Sequence, residues 1–576
     1  MRSNWLQASI TSFLVAGALS GCGGSSSPKV ENTSTYPLIT STTDTGDGSS
    51  GDDGSGDGAS PTPTPAPYDT VTVSGNAQFE FVPATASAGL NYSAMANRPI
   101  RGAIVDAIDV SSNTVVSRVV TDELGNYSVA VPTNTQIFIR VRAQVYRSGT
   151  PSWDVRVVDN TRSQGSYVLD GSPFTTSDVD ITGKNMVARS GWSGSAYTSP
   201  RNAAPFAILD VIYQNIQKVV SVDSSVALPQ LLVNWSTKNV PSDGDKTLGQ
   251  IVTTNYDLDG GQMYVLGAQG VDTDEYDRHV IAHEWMHYFE QKLSRSDSIG
   301  GSHTITSKLD PRVAFSEGLA NAFSGISNAN PIYVDTAGTQ QATTQITFDL
   351  SSSTLAGSSR GWFNESSVQY VVYSLYVNRG ASSGYDFSAL YDTLINGHRT
   401  NRAFTSIYSF SSAFFDAYPE SSSRLATLLT SQGITSSLRD EFDSTRTETN
   451  FGGVSGISDV YRAVATNSST ATRMCATGAT GSYNKLFNRR FFYFNVDSSG
   501  SYRINAHPAD SSGDPVLVVY QQGEQLGATD DNGAGTDESI TTTLSPGVYV
   551  GEVFDNSFYF GTSTASECYD VTVMRQ

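Results

Sequence analysis

The sequence predicts a multidomain protein in which one α+β domain is flanked by two all-β sandwich domains. Three observations carry this. Residues 70–187 and 467–576 consist of short apolar runs, rich in β-branched and aromatic residues and separated by turn residues, as in antiparallel sandwiches. Residues 188–466 mix strand-like runs with longer stretches whose apolar residues recur at helical spacing. With 576 residues, the chain has room for roughly three or four domains.

The first 22 residues predict a targeting peptide. Arg2 supplies the positive start, and Trp5 to Leu19 holds an apolar stretch too short to span a membrane. The segment ends Leu19-Ser-Gly-Cys22, which resembles the bacterial lipobox. That resemblance implies that Cys22 is lipidated and becomes the new N-terminus. Gly23 follows in place of the Asp that favours inner-membrane retention, which implies the outer membrane of a Gram-negative cell. Residues 23–69 are Gly-Ser-Asp repeats followed by Pro61-Thr-Pro-Thr-Pro-Ala-Pro67. Such a composition cannot bury a core, so a disordered tether with a stiffened end is expected.

Residues 70–187 show strand signals at Thr70 to Val73, Gly102 to Ile108, Val115 to Val120 and Gln136 to Arg142. Thr121-Asp-Glu-Leu-Gly-Asn-Tyr127 reads as a turn entering a strand. The stretch resembles the carboxypeptidase-regulatory-like sandwich modules of secreted proteins, which implies a spacer or binding module. Removal of this part as a propeptide, or its covering a cleft, is left open.

In the central region, Phe206, Leu209, Ile212, Ile216 and Val219 predict a helix over 204–220, with strands at 230–235 and 261–267. Then comes His279-Val-Ile-Ala-His283-Glu284-Trp-Met-His287-Tyr-Phe-Glu290. On a helix, His283 and His287 project from one face and can grip one metal ion. Glu284 lies beside that face, where its carboxylate can take a proton from a water activated by zinc. Asp277, Glu275 and Val280-Ile281 give the helix an acidic start and an apolar back. A catalytic zinc needs three protein ligands and one open position. Val313-Ala-Phe-Ser-Glu317-Gly-Leu-Ala-Asn321 predicts a second helix in which Glu317 can be the third ligand. Asn321, one turn on, can accept the free ring N–H of a ligating histidine. His279 is expected to pack, because three successive turns of a straight helix cannot easily converge on a tetrahedral ion.

These two helices resemble the gluzincin metallopeptidases. The resemblance implies a zincin-like metallopeptidase domain over 188–466, with His283, His287 and Glu317 as zinc ligands and Glu284 as general base. Two departures stand out. The family usually has Asp where this chain has Asn321, and the segment between His287 and Glu317 is longer than in thermolysin. The metzincin pattern is excluded, since Glu290 and Leu293 stand where it requires Gly and His. By analogy, strand 261–267 would border the cleft and pair with a peptide substrate. Gluzincins also need a second proton donor near the oxyanion, for which His303, Tyr370 and Tyr373 are candidates.

Residues 467–576 show strands at Phe491 to Val496, Val516 to Tyr520 and Gly547 to Val553. Asp514 to Tyr520, Thr529 to Glu538 and Leu544 to Tyr549 resemble the pre-peptidase C-terminal domain of secreted bacterial proteases. Asp530, Asp531 and Asp537 read equally as a calcium site or as an acidic turn. Cys475 and Cys568 flank the domain and could close it with a disulfide in an oxidising compartment.

Charged residues make up only 16% of the chain, which suits an extracytoplasmic, β-rich protein. The net charge of -21 offers no basic stripe to meet phosphates, so nucleic-acid binding is not expected. Two functions follow from the sequence. One is a zinc-dependent peptidase, more in keeping with an endopeptidase, since no Gly-x-Met-Glu-Asn motif is present. The other is a non-enzymatic adhesin or scaffold whose metal site is structural or vestigial.

Overall fold

In the computed structural model a helix over Ala204–Val220 (α1) leads into the second of two parallel strands. The structure describes residues 29–31 and 69–576, apart from 343, 378–385, 435–439, 443–448, 458, 560 and 562. Trp153–Asp159 pairs with Leu231–Trp235, from Val155 opposite Leu231 to Val158 opposite Asn234. Parallel neighbours cannot be joined by a tight turn, and α1 is the last part of the long connection between them. Its sequence suits that place: Phe206, Leu209, Ile212, Ile216 and Val219 are all buried, and Pro205 stands in the first turn.

Leu231–Trp235 pairs in turn with Gln262–Val265, again in parallel, and Asn255–Asp257 ends that side of the sheet antiparallel. On the other side the sheet continues through Gly165–Asp170, Gln136–Arg147, Ala103–Asp109 and Val115–Val120, and with two short strands off this path it has ten strands. One sheet therefore joins residues on both sides of 187/188, where composition set a border between a sandwich and an α+β domain. That border is corrected. Composition changes along the chain, whereas strand pairing acts across it. Val30–Glu31 adds to the same sheet beside Gly165–Asp170, so this part of the predicted tether is paired. Residues 1–22 and the rest of the tether lie outside the described residues.

A second sheet of four strands holds Thr70–Phe81, Ala96–Pro99, Asn126–Pro132 and Met186–Ala188. Its inward residues Val71, Val73, Phe79, Val129 and Val131 alternate with more exposed ones and join the buried cluster that includes α1.

The C-terminal part has a core of its own. Five strands, Tyr461–Ala463, Arg489–Val496, Gly547–Asp555, Pro515–Gln521 and Glu524–Thr529, form one sheet. Four others, Thr472–Thr477, Ser566–Arg575, Gly500–Pro508 and Glu538–Leu544, form the second. Phe492, Phe494, Ile504, Leu517, Val553 and Val571 fill the space between them. The first strand begins at Tyr461, ahead of the border read at 467. Cys475 and Cys568 face each other on neighbouring strands and form a disulfide. The whole is thus multidomain and rich in β-sheet with few helices. Among the described residues no helix is long and apolar enough to cross a membrane.

A buried histidine makes this fold acid-sensitive. His398 is fully buried, its ring nitrogens have no hydrogen-bond partner, and it packs on Phe315 with ring centroids 4.8 Å apart. Burial pushes its pKa down from 6.5 to about 3. The folded-state value is depressed, so the stability it confers is complete above 6.5 and is lost as pH falls towards 3. Urea unfolding at pH 7.5 and pH 5 should therefore differ less in His398→Phe than in wild type, by on the order of 2 kcal/mol. Equal pH dependence in the two proteins would contradict the buried neutral ring.

Candidate metal centre

The helix Arg278–Lys292 (α2) carries the two histidines, and Pro311–Asn328 (α3) carries the carboxylate. α2 is buried on nearly all sides, which explains why Val280, Ile281, Trp285, Met286 and Phe289 surround its polar residues. α3 starts at Pro311, with the Asp310 side chain accepting from Arg312 N at 3.0 Å as its cap. Trp285 stacks on Phe323 with centroids 5.6 Å apart, setting the two helices side by side. A third helix, Glu365–Val377 (α4), crosses close to α3 at Gly318. A Cβ there would lie 2.6 Å from Val368 Cβ and 2.7 Å from the Glu365 carbonyl oxygen, so the residue after Glu317 must be glycine.

Three donor atoms meet between α2 and α3. His283 Nε2 is 3.1 Å from His287 Nε2 and 3.2 Å from Glu317 Oε2, and His287 Nε2 is 3.5 Å from the same oxygen. Donors about 2.0–2.1 Å from a tetrahedral zinc lie roughly 3.3 Å from one another. The triangle matches that spacing on all three sides.

The far sides of both rings are held. Asn321 Oδ1 lies 2.9 Å from His283 Nδ1 and accepts its N–H, leaving Nε2 free to coordinate. His287 Nδ1 faces Ser316 Oγ at 3.1 Å and Glu290 Oε2 at 3.4 Å, and Ser316 donates to Glu290 at 2.7 Å. Glu290 and Ser316 have no such role in the sequence reading. The signal was a carboxylate three residues past the second histidine, on the adjoining face.

Glu284 is buried, and its Oε2 accepts from Tyr256 N at 2.8 Å. Burial pushes its carboxyl above the usual range, against the pull of the His283 and His287 rings. Tyr256 belongs to Asn255–Asp257, the end strand of the ten-stranded sheet. The strand assigned to substrate pairing, at 261–267, is Gln262–Val265 and has a partner on each side. Its hydrogen bonds are already used, so a peptide cannot add to it, and the edge of the sheet on that side is 255–257.

Of the three candidate proton donors, the fold brings His303 to the ligands. Its Nε2 is 3.4 Å from Glu317 Oε2, and its Nδ1 is 2.6 Å from Glu365 Oε2. Burial opposes the charged ring, yet the Glu317 and Glu365 carboxylates outweigh it and lift its pKa to about 9. Tyr373 packs instead against Gly325, two turns beyond Glu317, and Tyr370 packs against the core. The loop bearing His303 is gripped by the C-terminal part. Asn484 Nδ2 donates to Gly300 O at 3.0 Å and to Ser302 O at 3.1 Å.

His279 is not a ligand. Its Nε2–H donates to Asn330 O at 3.1 Å, and burial lowers its pKa to about 4. In the C-terminal part, Asp537 bonds His507 at 2.5 Å and Asn505 at 3.1 Å. Among the described residues Asp530, Asp531 and Asp537 do not form a group of the spacing seen at His283, His287 and Glu317.

No protein-family model matches the chain, and no curated protein matches it. Among solved structures, the pre-peptidase C-terminal domain of a Bacillus anthracis collagenase is 15% identical over 20% of this chain and 93% of its own, with a TM-score of 0.15. The PliG periplasmic inhibitor of g-type lysozyme from Aeromonas hydrophila is 12% identical over 20% of this chain and 98% of its own, with a TM-score of 0.13. A carbohydrate-binding module of Cellvibrio mixtus lichenase 5A is 17% identical over 19% of this chain and 72% of its own, with a TM-score of 0.12. Likenesses this slight carry no argument about fold or activity.

Proposed function

We propose that the chain is a zinc-dependent metallopeptidase of gluzincin type, with a zincin-like catalytic region, that hydrolyses peptide bonds outside the cytoplasm. The observation that carries this reading is the triangle of His283, His287 and Glu317 donors, sized for one tetrahedral ion with an open corner. A structural zinc more often has four Cys or His ligands, which favours catalysis over an adhesin with a structural site.

When bound, zinc supplies a Lewis acid that polarises the scissile carbonyl and acidifies water. The residues do the rest. Asn321, Ser316 and Glu290 fix the ring tautomers. The Glu284 carboxylate, aimed by Tyr256 N–H, takes the proton from the attacking water and passes it to the leaving amine. His303, braced by Glu365, donates a hydrogen bond where negative charge develops on the carbonyl oxygen. The Cys475–Cys568 disulfide supports an oxidising compartment, and Leu19-Ser-Gly-Cys22 supports a lipid anchor to the outer membrane.

Metal analysis of the purified chain tests this. One zinc per chain is expected, with affinity weakened at least about tenfold in Glu317→Gln and in His287→Ala. Casein cleavage should stop on chelation and return with zinc. A metal-free wild type, or cleavage that survives removal of the metal, would overturn the assignment.

A further inference from the structure

Away from the proposed zinc ligands, three carboxylates meet beside the start of α2. Asp272, Asp274 and Asp335 each offer an oxygen within 4.8 Å of the others. The local backbone explains why. Asp272 and Asp274 are alternate residues, and Asp272 pairs with Ala337 on the facing strand Ile332–Ala337. Asp335, two residues back on that strand, therefore shares their side of the ladder. A fourth carboxylate, Asp277, stands at the start of α2, and its Oδ2 accepts from Thr336 N at 2.8 Å and from Thr336 Oγ1 at 2.9 Å.

This is more than a group of acids. Asp274 is 3% exposed and Asp277 is fully buried, yet the Oδ1 atoms of both lack any hydrogen-bond partner, as does Asp272 Oδ1. Among the described residues no Lys, Arg or His forms an ion pair with any of the four. Buried carboxylate oxygens without donors or counter-charges are not left so at equilibrium; they take up protons or a cation. Burial pushes Asp335 up to about 7, and burial together with repulsion from Asp335 and Asp277 pushes Asp272 up to about 8.

We propose that Asp272, Asp274 and Asp335, backed by Asp277, bind a hard divalent cation, calcium by the number of carboxylates offered. An all-oxygen set selects a hard ion. Calcium takes several carboxylates in a flexible shell, whereas magnesium keeps several waters and is usually held by one or two carboxylates. Three carboxylates whose oxygens lie within 4.8 Å of one another suit the calcium pattern. Asp272 and Asp335 are half-buried and leave a route in, while Asp274 closes the inner end. The bound ion would tie Ile332–Ala337 to the start of the helix that bears His283 and His287. This site is separate from the zinc ligands and stands whether or not the peptidase reading does.

The test uses the full chain, stripped with EDTA, reloaded with one equivalent of zinc and titrated calorimetrically with calcium chloride. A saturable calcium event and a rise in the thermal midpoint are expected. Asp335→Asn, at the half-exposed mouth, and Asp274→Asn should each weaken that event at least tenfold. Asp537→Asn in the C-terminal turn and Glu317→Gln should leave it intact, the latter separating this site from the zinc ligands. Terbium luminescence, sensitised by tyrosines such as Tyr333 and displaced by calcium, reads the same site without relying on stability. No calcium event in wild type, or one of undiminished affinity in both Asp335→Asn and Asp274→Asn, would overturn the proposal in favour of carboxyls that share protons.

Discussion

Glu284→Gln is expected to lower casein turnover by about 10²–10⁴-fold while zinc stays at one equivalent per chain. The side chain is buried and keeps its shape on substitution. Its amide oxygen can still accept from Tyr256 N–H, the bond that aims the carboxylate at 2.8 Å. What is lost is the ability to carry a proton from water to the leaving amine. Stability should hold or rise, because a buried carboxylate that burial already pushes towards its neutral form is replaced by a neutral amide. Zinc content, thermal midpoint and kcat/KM, measured on the same preparation, separate the chemical loss from any structural one. Near-wild-type turnover in a zinc-loaded Glu284→Gln protein would remove Glu284 from the reaction.

Arg312→Ala is expected to destabilise the protein by about 3–5 kcal/mol and to weaken zinc binding with it. Arg312 is 1% exposed at the start of α3. Its guanidinium lies 2.9 Å from Asp310 and 2.9 Å from Glu552, which belongs to the C-terminal sandwich. It also covers the rings of Phe404 and Phe491 at 4.6 and 4.8 Å. Alanine leaves Asp310 with its capping bond and Glu552 with Arg489 at 3.0 Å and Tyr520 at 2.9 Å, but buries their charge with less compensation. The same change at Arg473, which pairs with Asp570 at 2.8 Å on the surface, should leave stability nearly unchanged, because solvent screens an exposed pair. Denaturant titration of both variants makes the comparison. An Arg312→Ala protein as stable as wild type would mean that the two cores do not depend on this link.

The proposed metal ligands were legible in the chain because their chemistry is local. His283 and His287 share a helix face by spacing alone, and Asn321 follows Glu317 by one turn for the same reason. That Glu317 would meet the histidine pair rested on resemblance, since α2 and α3 are joined by a loop whose path has no local code. His303 was one candidate among three. Its selection depends on Asn484 and Glu365, which hold it from distant parts of the chain. Asp272 and Asp274 sit close in sequence, but Asp335 reaches them only through strand pairing.

The 187/188 border shows the same division. The β-rich composition of 70–187 is real, and its alternating strands form. Yet Val155 pairs with Leu231, and the sheet runs on into the segment that bears the metal helix. By itself the sequence determined α1, the two helices proposed to hold a metal and several of the strands, because periodicity and side-chain type act within a few residues. The tertiary structure alone decided which edges pair, which of three donors reaches the ligands and which carboxylates are left without partners. Those outcomes depend on burial and hydrogen bonding between segments far apart in the chain.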